Sequence, residues 1–392
     1  MRAAVIGGSL QGVEAVYLAQ KAGWEVLLID KKPLVPASGL CDTFIQLDVT
    51  QVEQLETVIK DVDIVIPATE NAPALKSLVQ WSRFSGIPLA FDVGSYGISS
   101  SKRESDRLFA SIGVPAPLPW PGCGFPLIVK PVSGSGSEGV RLFQEQKQLE
   151  EFFSTLSTDD RDWVLQEYLV GPSYSLEIIG NSNHYTTLQV TDLEMDEGYD
   201  CKRVLAPTRL SAEQALQLEK ISVKIAQALP LKGLMDVEVI LHNGQMKVLE
   251  IDARLPSQTP TAVYWSRGIN MLELMAQFFS VTSVAKNLKN KNSQTTDRGV
   301  VYEHIKVTSE AIEVCGEHIM AQAGPLRLHT DFFGAEEAIT DYAPGKSPWT
   351  ATLINTGATL SKAWEKRQQI IENIREHFKI KIFKDPPKKQ LH

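Results

Sequence analysis

The sequence has 392 residues, of which 43% are hydrophobic and 22% charged, as is usual for a globular protein of about two or three domains. Its formal net charge of −8 argues against a nucleic-acid-binding protein, and no apolar run is long enough to cross a bilayer. The four cysteines are widely spaced without a CxxC pair, and the amino terminus leads directly into a predicted strand rather than a signal peptide. We therefore expect free thiols and a cytoplasmic location.

The chain opens with a strand, a glycine turn, a helix and a second strand. The pattern predicts these elements at residues 3–6, 7–12, 13–22 and 26–29, and Asp30 ends the second strand. An acid at this place suits a nucleotide ribose, but the glycine spacing departs from GxGxxG. We favour a Rossmann-like domain that has lost or changed its ligand over one that binds NAD.

A further strand at residues 64–68 is followed by Glu70, at the sheet edge where open α/β sheets bind ligands. Glu70 has an alternative interpretation as an acid that starts a helix. Residues 99–112 then predict a helix that carries Lys102 and ends at the glycine and prolines of residues 113–117.

The strand at residues 126–129 delivers Lys130 and is followed by a loop of small residues, 133–139. The loop is not a Walker A motif, because no Gly-Lys-Ser/Thr follows. Its backbone N–H groups can approach phosphates closely. A flexible linker is the alternative, although a linker rarely lies between two strands in so short a stretch.

Later segments are assigned more briefly. Strands are predicted at residues 164–169 and 173–179, and amphipathic helices at residues 211–229 and 360–378. The polar residues 286–298 indicate a boundary, and the basic residues 384–392 are expected to fray.

Two short apolar segments with interleaved acids, residues 234–240 and 248–254, predict a β-hairpin. Glu250, Asp252 and Arg254 share one face of the second strand because side chains alternate. A loop with an odd number of residues would place Glu238 opposite Glu250, whereas a two-residue Asn-Gly turn would place it on the far side. Carboxylates that share a face repel one another, and Mg²⁺ is a suitable counter-ion; a half-exposed acidic face is the alternative.

The ordered set of features resembles the ATP-grasp superfamily of carboxylate–amine ligases over roughly the whole chain. The set comprises the two lysines, the glycine loop, the Gln-Glu-Tyr-Leu strand, the internal Glu177 and the acidic hairpin. The resemblance implies an α/β fold with a Rossmann-like domain at residues 1–96, an α+β ATP-grasp domain at residues 97–296, a smaller α+β domain at residues 297–384 and a flexible tail at residues 385–392.

Within that superfamily, several segments look like the ligases of pyrrolysine biosynthesis. The segments are residues 7–12, 229–233, 250–254, 256–264 and 302–304, of which the Ser-Gln-Thr-Pro-Thr sequence is the most distinctive. The resemblance implies an ATP-dependent carbon–nitrogen ligase that joins the carboxylate of (3R)-3-methyl-D-ornithine to the ε-amine of L-lysine through an acyl phosphate, with ADP and phosphate as products. One departure from many relatives is Asp252, which stands where they have Asn.

The resemblance also implies roles for individual residues. It assigns Arg254 and Lys130 to catalysis, and Glu238, Glu250 and Asp252 to two Mg²⁺ ions. Contacts to ATP are expected from Lys102, Lys130, Ser133, Gly134, Ser135, Gly136, Gln166, Glu167, Tyr168, Leu169 and Glu177, with Glu177 at or near the ribose.

Both substrates carry extra ammonium groups, so further acids and hydroxyls are expected around them. The candidates for the ornithine-like substrate are Asp236, Ser257, Thr259 and Glu303, and those for lysine are Leu10 and Glu70; Gln11 and Arg254 are expected at the substrates without assignment to either one. Glu303 has an alternative interpretation as one partner of a structural salt bridge.

Three other functions compete with this interpretation. The first is a ligase for another amino acid or carboxylate pair, which would use the same site. The second is a nicotinamide-dependent oxidoreductase, which would use only the first βαβ unit. The third is a non-catalytic nucleotide-binding module, which would not need the three acids Glu238, Glu250 and Asp252. We expect small-molecule partners, without nucleic acid or membrane, and the sequence is compatible with a homodimer without requiring one.

Overall fold

The structure, a computed structural model, describes residues 1–134, 136–137, 139–156, 162–279 and 297–386. Three β-sheets with their helices make up this described part of the chain. Among these residues, no helix combines the length and the apolar character that a membrane span requires. The mixed α/β architecture confirms the predicted fold class.

The first domain is a parallel sheet with the strand order β3-β2-β1-β4. Its elements are β1 (Arg2–Ile6), α1 (Leu10–Lys21), β2 (Glu25–Asp30), β3 (Thr43–Gln46), α2 (Val52–Ile59), β4 (Ile64–Pro67) and α3 (Ala72–Ser85). Ala3 and Val5 belong to the apolar cluster on the α1 side, while Ala4 and Ile6 pack with α2 and α3, as alternation along a strand requires. Helix α1 begins at Leu10 rather than at residue 13, so its first turn lies at the carboxyl edge of the sheet.

A small antiparallel sheet with the order β6-β5-β7 follows. The elements of this part are α4 (Val93–Ser99), α5 (Lys102–Ile112), β5 (Leu127–Pro131), β6 (Arg141–Phe143), α6 (Gln146–Ser154) and β7 (Trp163–Glu167). The helix predicted at residues 99–112 begins at Lys102 instead, because the Ser101 hydroxyl accepts a hydrogen bond from the Glu104 amide and caps α5, while Ser99 ends α4. Gly113, at φ 63°, ends α5.

The largest sheet is antiparallel apart from one edge and has the central order β12-β11-β8-β9-β10-β13-β17-β16-β15, with β14 and β18 beside β13. Its strands are β8 (Ser173–Asn181), β9 (Tyr185–Met195), β10 (Cys201–Ala206), β11 (Lys232–His242), β12 (Gln245–Asp252), β13 (Gly299–Val307), β14 (Ala311–Val314), β15 (Arg327–Phe332), β16 (Ala335–Thr340), β17 (Trp349–Gly357) and β18 (Ile382–Lys384). The helices that pack with it are α7 (Ala212–Ala228), α8 (Thr259–Arg267), α9 (Met271–Phe279), α10 (His318–Ala321) and α11 (Leu360–Phe378). Because β10 pairs with β13, the sheet runs across the expected boundary between residues 296 and 297.

Helix α1 connects the first domain to the rest of the molecule. It packs in one apolar cluster with α8, α9 and large-sheet residues such as Ile354. Polar contacts reinforce this packing, since the Tyr17 hydroxyl donates to Glu337 at 2.6 Å and the Asn270 amide donates to the Leu18 carbonyl at 2.7 Å. The first domain is therefore held firmly against the large sheet and its helices.

A buried cluster of charges joins β10, β13, α11 and the chain end. Glu303, which is fully buried, accepts from Arg203 Nη2 at 2.9 Å and from Arg367 Nε at 2.7 Å. Asp385 lies 2.6 Å from Arg203 and 2.7 Å from Lys202, so this first residue of the expected flexible tail is anchored. Both oxygens of Glu303 are thus occupied by arginines, as in the structural alternative that the sequence left open.

We expect Glu303→Ala to lower the free energy of unfolding by about 3–5 kcal/mol, because two arginines would be left in the interior without their main partner. Chemical denaturation measures this change. Glu365→Gln, which alters an exposed ion pair on α11, is the control and should have little effect. A Glu303→Ala protein of unchanged stability that binds substrate poorly would support the substrate role instead.

Candidate active site

The hairpin of β11 and β12 has the two-residue Asn-Gly turn of one sequence-based alternative and the Glu238–Glu250 pairing of the other. The turn has two residues, Asn243 and Gly244, both at positive φ, as a tight hairpin turn requires. A bulge then shifts the register, so that Val239 pairs with Val248 and Glu238 pairs with Glu250. The expectation that a two-residue turn places Glu238 on the far side is therefore wrong, because the bulge restores its pairing with Glu250.

The neighbouring strand β8 extends this acidic face. Glu177 lies opposite Asp236, which in turn lies opposite Asp252. Residues directly opposite in an antiparallel pair project to the same side of the sheet, so a row of three carboxylates crosses three strands beside the Glu238–Glu250 pair. Burial raises the pKa of Asp236 to about 6 and that of Asp252 to about 7, and nearby Arg254 opposes both shifts.

Cationic side chains surround these acids. Arg254 Nη2 lies 2.6 Å from Asp252 Oδ2 and also binds Glu70 of the first domain. Lys102 Nζ lies 3.1 Å from Glu250 Oε1 and donates to the Gly134 carbonyl. Burial lowers the pKa of Lys130, while the charge of Glu250 opposes this shift. The cations reach the acids from three separate parts of the chain.

The donor set of Glu238, Glu250 and Asp252 fits Mg²⁺, since carboxylate oxygens are its preferred protein ligands. Asp252 Oδ1 is buried and has no hydrogen-bond partner among the described residues, and neighbouring carboxylates add to the raised pKa of Glu238. The three groups are spread along the hairpin rather than gathered around one point. Within the described chain, the three ligand atoms that lie within 4.8 Å of one another belong instead to Asp196, Asp200 and His318.

A cavity of about 880 Å³, here called the nucleotide cavity, lies between the small sheet and the hairpin. Consecutive strand residues normally face opposite sides of a sheet, but at the bulge both Leu249 and Glu250 line this cavity. Of the expected ATP contacts, the cavity brings together Lys102, Lys130, Ser133, Gly134, Gln166, Glu167, Tyr168 and Leu169. Ser135 is outside the described residues.

A second cavity of about 1020 Å³, the acid–arginine cavity, shares Glu238 and Glu250 with the nucleotide cavity. Side chains expected at the substrates line it, namely Leu10, Gln11, Asp236, Asp252, Arg254, Ser257 and Thr259. Gly136 also lines this cavity, where the glycine loop approaches it.

Glu317, which the sequence analysis did not identify, also lines the acid–arginine cavity. Burial raises its pKa to about 7, and interactions with Ser257 and Gln258 oppose that shift. Its neighbours in the sequence form no recognisable motif, and only the folding of the segment before α10 brings it to the site. The sequence alone therefore contains no pattern that would identify Glu317 as a site residue.

A third cavity of about 1600 Å³ lies at the carboxyl edge of the first sheet and shares Leu10 and Gln11 with the acid–arginine cavity. Gln11 Nε2 donates to Glu70 Oε1 at 3.2 Å. Asp30 accepts a hydrogen bond from the Gly8 amide at 2.8 Å, so the acid suited to a ribose is tied to the glycine turn. This contact favours the interpretation of a Rossmann-like domain with a changed ligand.

Two predicted site residues lie elsewhere. Glu177 is fully buried beside Asp236 and does not line the nucleotide cavity, so its position differs from that expected of a ribose ligand. Glu303 belongs to the arginine cluster described above and lines none of the three cavities. Both departures arise because strand position alone does not show what covers a side chain.

The fold and the site define an ATP-grasp enzyme. Residues 99–258 match the family model of the ATP-grasp domain, and residues 3–89 match that of the PylC-like, N-terminal domain. The chain belongs to the family of 3-methyl-D-ornithine–L-lysine ligases. It is 34% identical over 376 residues to the ligase of Methanosarcina mazei, covering 95% of both chains, and 34% identical to that of Methanosarcina acetivorans, covering 95% of this chain and 98% of the relative.

Solved structures share this fold at low sequence identity. The ADP complex of an N5-carboxyaminoimidazole ribonucleotide synthetase superposes with a TM-score of 0.69 at 15% identity, covering 96% of this chain and 97% of the other. An L-amino acid ligase from Bacillus licheniformis also gives a TM-score of 0.69, at 18% identity, with coverage of 95% and 97%.

We expect Glu250→Gln to abolish ATP-dependent turnover without unfolding the protein, because a neutral amide is a poorer Mg²⁺ ligand than a carboxylate. ADP formation and the Mg²⁺-dependent shift in melting temperature measure the two effects. Glu310→Gln, at an exposed acid outside the three cavities, is the matched control. Near-normal ADP formation in Glu250→Gln would remove this residue from the metal site.

We expect Gly136→Val to raise the KM for ATP or to lower kcat, because a branched side chain would occupy space where the loop has to approach phosphates. Gly136 has φ 63° and no neighbouring atom within 4 Å of an added Cβ. Gly345→Val is matched, since Gly345 has φ 80°, is equally open and lies outside the three cavities. Equal kinetics in the two variants would mean that the loop is only a linker.

Proposed function

We propose that this protein joins the carboxylate of 3-methyl-D-ornithine to the ε-amine of L-lysine with consumption of ATP. The observation that carries the proposal is the continuity of the three cavities. The nucleotide cavity and the acid–arginine cavity share Glu238 and Glu250, and the latter cavity shares Leu10 and Gln11 with the third. A phosphate donor, a carboxylate and an amine can therefore meet along one path.

ATP would occupy the nucleotide cavity with its phosphates toward the hairpin. Lys102 and Lys130 provide positive charge there, and the loop of residues 133–139 offers backbone amides. Glu167 is held by Lys247 at 2.5 Å and by the Leu118 amide at 3.0 Å, which fixes the strand end that would border the adenine. Positioning and charge neutralisation are the main demands of phosphoryl transfer.

Glu238, Glu250 and Asp252 would hold the Mg²⁺ ions, of which we infer two. When bound, these ions neutralise charge on the phosphates and orient them. Arg254 faces the same region, and its guanidinium stabilises charge on the transferring phosphoryl group and then on the tetrahedral intermediate. Asp252 and Glu70 orient the guanidinium from two directions.

The ornithine-like substrate would lie in the acid–arginine cavity. Its carboxylate oxygen attacks the γ-phosphorus of ATP, ADP leaves, and an acyl phosphate forms. Asp236 and Glu317 provide acids for its two ammonium groups, and Ser257 and Thr259 provide hydroxyls. The buried Thr259 hydroxyl also interacts with Glu177, where it opposes the rise in pKa that burial causes.

Lysine would enter from the third cavity. Its α-ammonium and α-carboxylate would stay with the first domain near Glu70, and its ε-amine would pass Leu10 and Gln11 to reach the acyl phosphate. The amine nitrogen then forms the bond to the acyl carbon, and phosphate leaves. The shared lining of the two cavities supports this direction of entry.

The test is phosphate release by the purified protein with ATP, Mg²⁺, L-lysine and a panel of ornithine analogues. Activity that requires both a D-ornithine-type carboxylate donor and L-lysine supports the proposal. Strong activity with a different pair of amino acids, and none with this one, would overturn the substrate assignment while leaving the ligase class intact.

We expect Glu70→Ala to weaken the use of lysine by roughly ten- to a hundred-fold, since a charge-assisted contact contributes about 1.5–3 kcal/mol. The KM for ATP should hardly change. Asp63→Asn is the control, because Asp63 accepts from the Arg2 amide on the same domain, outside the three cavities. An unchanged KM for lysine together with lost ATP binding would place the nucleotide, not lysine, at the first domain.

A further inference from the structure

Helix α8 begins directly after the substrate loop, residues 256–258, and its first turn lacks a cap of its own. The residue before the helix, Gln258, has φ 70° and no side-chain hydrogen bond to the first turn. Helix starts normally use a Ser, Thr, Asp or Asn side chain to accept from these early amides. The loop that lines the acid–arginine cavity is thus joined to a helix whose start must be stabilised by some other group.

The amides of the first turn can be accounted for one by one. Thr259 donates to the Ser257 carbonyl at 2.8 Å, Pro260 has no N–H, and Ala262 donates to the Gln258 carbonyl at 3.2 Å. The remaining amide, that of Thr261, donates to Glu14 Oε1 at 2.6 Å. Glu14 lies on α1 of the first domain and is only 2% exposed. Its carboxylate also lies at the helix end where a negative charge is favourable.

Helix α1 itself is fixed independently of this contact. Leu10, Gln11 and Glu14 share one face by their spacing, and the first two line the cavities proposed for the substrates. Farther along the same helix, Tyr17 donates to Glu337 and Lys21 forms an ion pair with it. A change at Glu14 would therefore release the α8 end of the contact and leave α1 in place.

We propose that Glu14 is a positioning residue that caps α8 from another domain and thereby sets the place of Ser257 and Thr259 relative to the lysine path. This inference rests on the proposed function for its kinetic part. Glu14 touches neither substrate; it acts through the first turn of α8. Its loss should affect the carboxylate substrate, which the loop would contact, more than ATP or lysine.

The test compares Glu14→Ala, which removes the acceptor, with Glu14→Gln, which keeps an oxygen that can accept from the Thr261 amide. Asn270→Ala is the matched control, because Asn270 accepts from the Leu272 amide at the start of α9 and also contacts α1, but lies outside the three cavities. The measurements are the KM for each of the three substrates, kcat, and deuterium uptake by the peptide that covers the first turn of α8.

Glu14→Ala should raise the KM for the ornithine-type substrate by about ten-fold, which is the effect expected from the loss of one charge-assisted hydrogen bond. The KM values for ATP and lysine should stay within about two-fold of the wild-type values. Glu14→Gln should restore most of the loss. Faster deuterium uptake at α8 is expected in Glu14→Ala alone. If Glu14→Ala instead behaves like Asn270→Ala, with lower stability and an unchanged KM for every substrate, the positioning role is overturned.

Failure of the proposed function has a different signature. A wild-type protein that turns over no combination of these substrates would contradict the function, and the deuterium uptake at α8 would still decide whether Glu14 caps the helix. Equal uptake in the wild type and Glu14→Ala would overturn the cap as well.

Discussion

The structure depends on the crowding of buried carboxylates on one face of the β11–β12 hairpin. Glu177, Asp236, Glu238, Glu250 and Asp252 project from the same side of three adjacent strands. Burial is the main cause of the raised pKa values of Glu177, Asp236, Glu238 and Asp252, and repulsion from neighbouring carboxylates adds to it. Arg254, Lys102 and Lys130 approach from different segments, and divalent ions would supply the remaining positive charge. A face that is unfavourable in the protein alone is thus suited to a metal–nucleotide complex.

This requirement explains the arrangement of the three sheets. The small sheet brings Lys130, α5 brings Lys102, and the first domain brings Glu70 to orient Arg254. The first domain and the small sheet each contain an apolar cluster, and α5 packs in one cluster with the hairpin, so that each part delivers one charged group from a packed position. The buried arginine cluster around Glu303 has a different task, since it joins the chain end to the opposite side of the large sheet.

The parts of the site that are contiguous in sequence could be predicted from it. The acids of the hairpin, the lysine that follows a strand, and the glycine loop are each encoded within a few residues, where strand alternation and turn chemistry act. Glu317 and Glu14 could not be found in this way, because their roles depend on contacts with segments that are distant in the sequence. Glu303 shows the reverse error: a motif drew attention to it, but two distant arginines occupy its carboxylate.

The bulge at Leu249 also constrains how the gene can change in length. Without a bulge, pairing Glu238 with Glu250 would require a three-residue turn, but the turn has only two residues. The extra residue in β12, Leu249, compensates for the missing turn residue. An insertion in the turn alone, or a deletion in the strand alone, would rotate Glu250 and Asp252 away from Glu238. The two kinds of change together would preserve the face, with the extra residue relocated from the strand to the loop. Alignment gaps among relatives should therefore occur here in compensating pairs, and a single unpaired gap would mark a chain in which these acids no longer share one face.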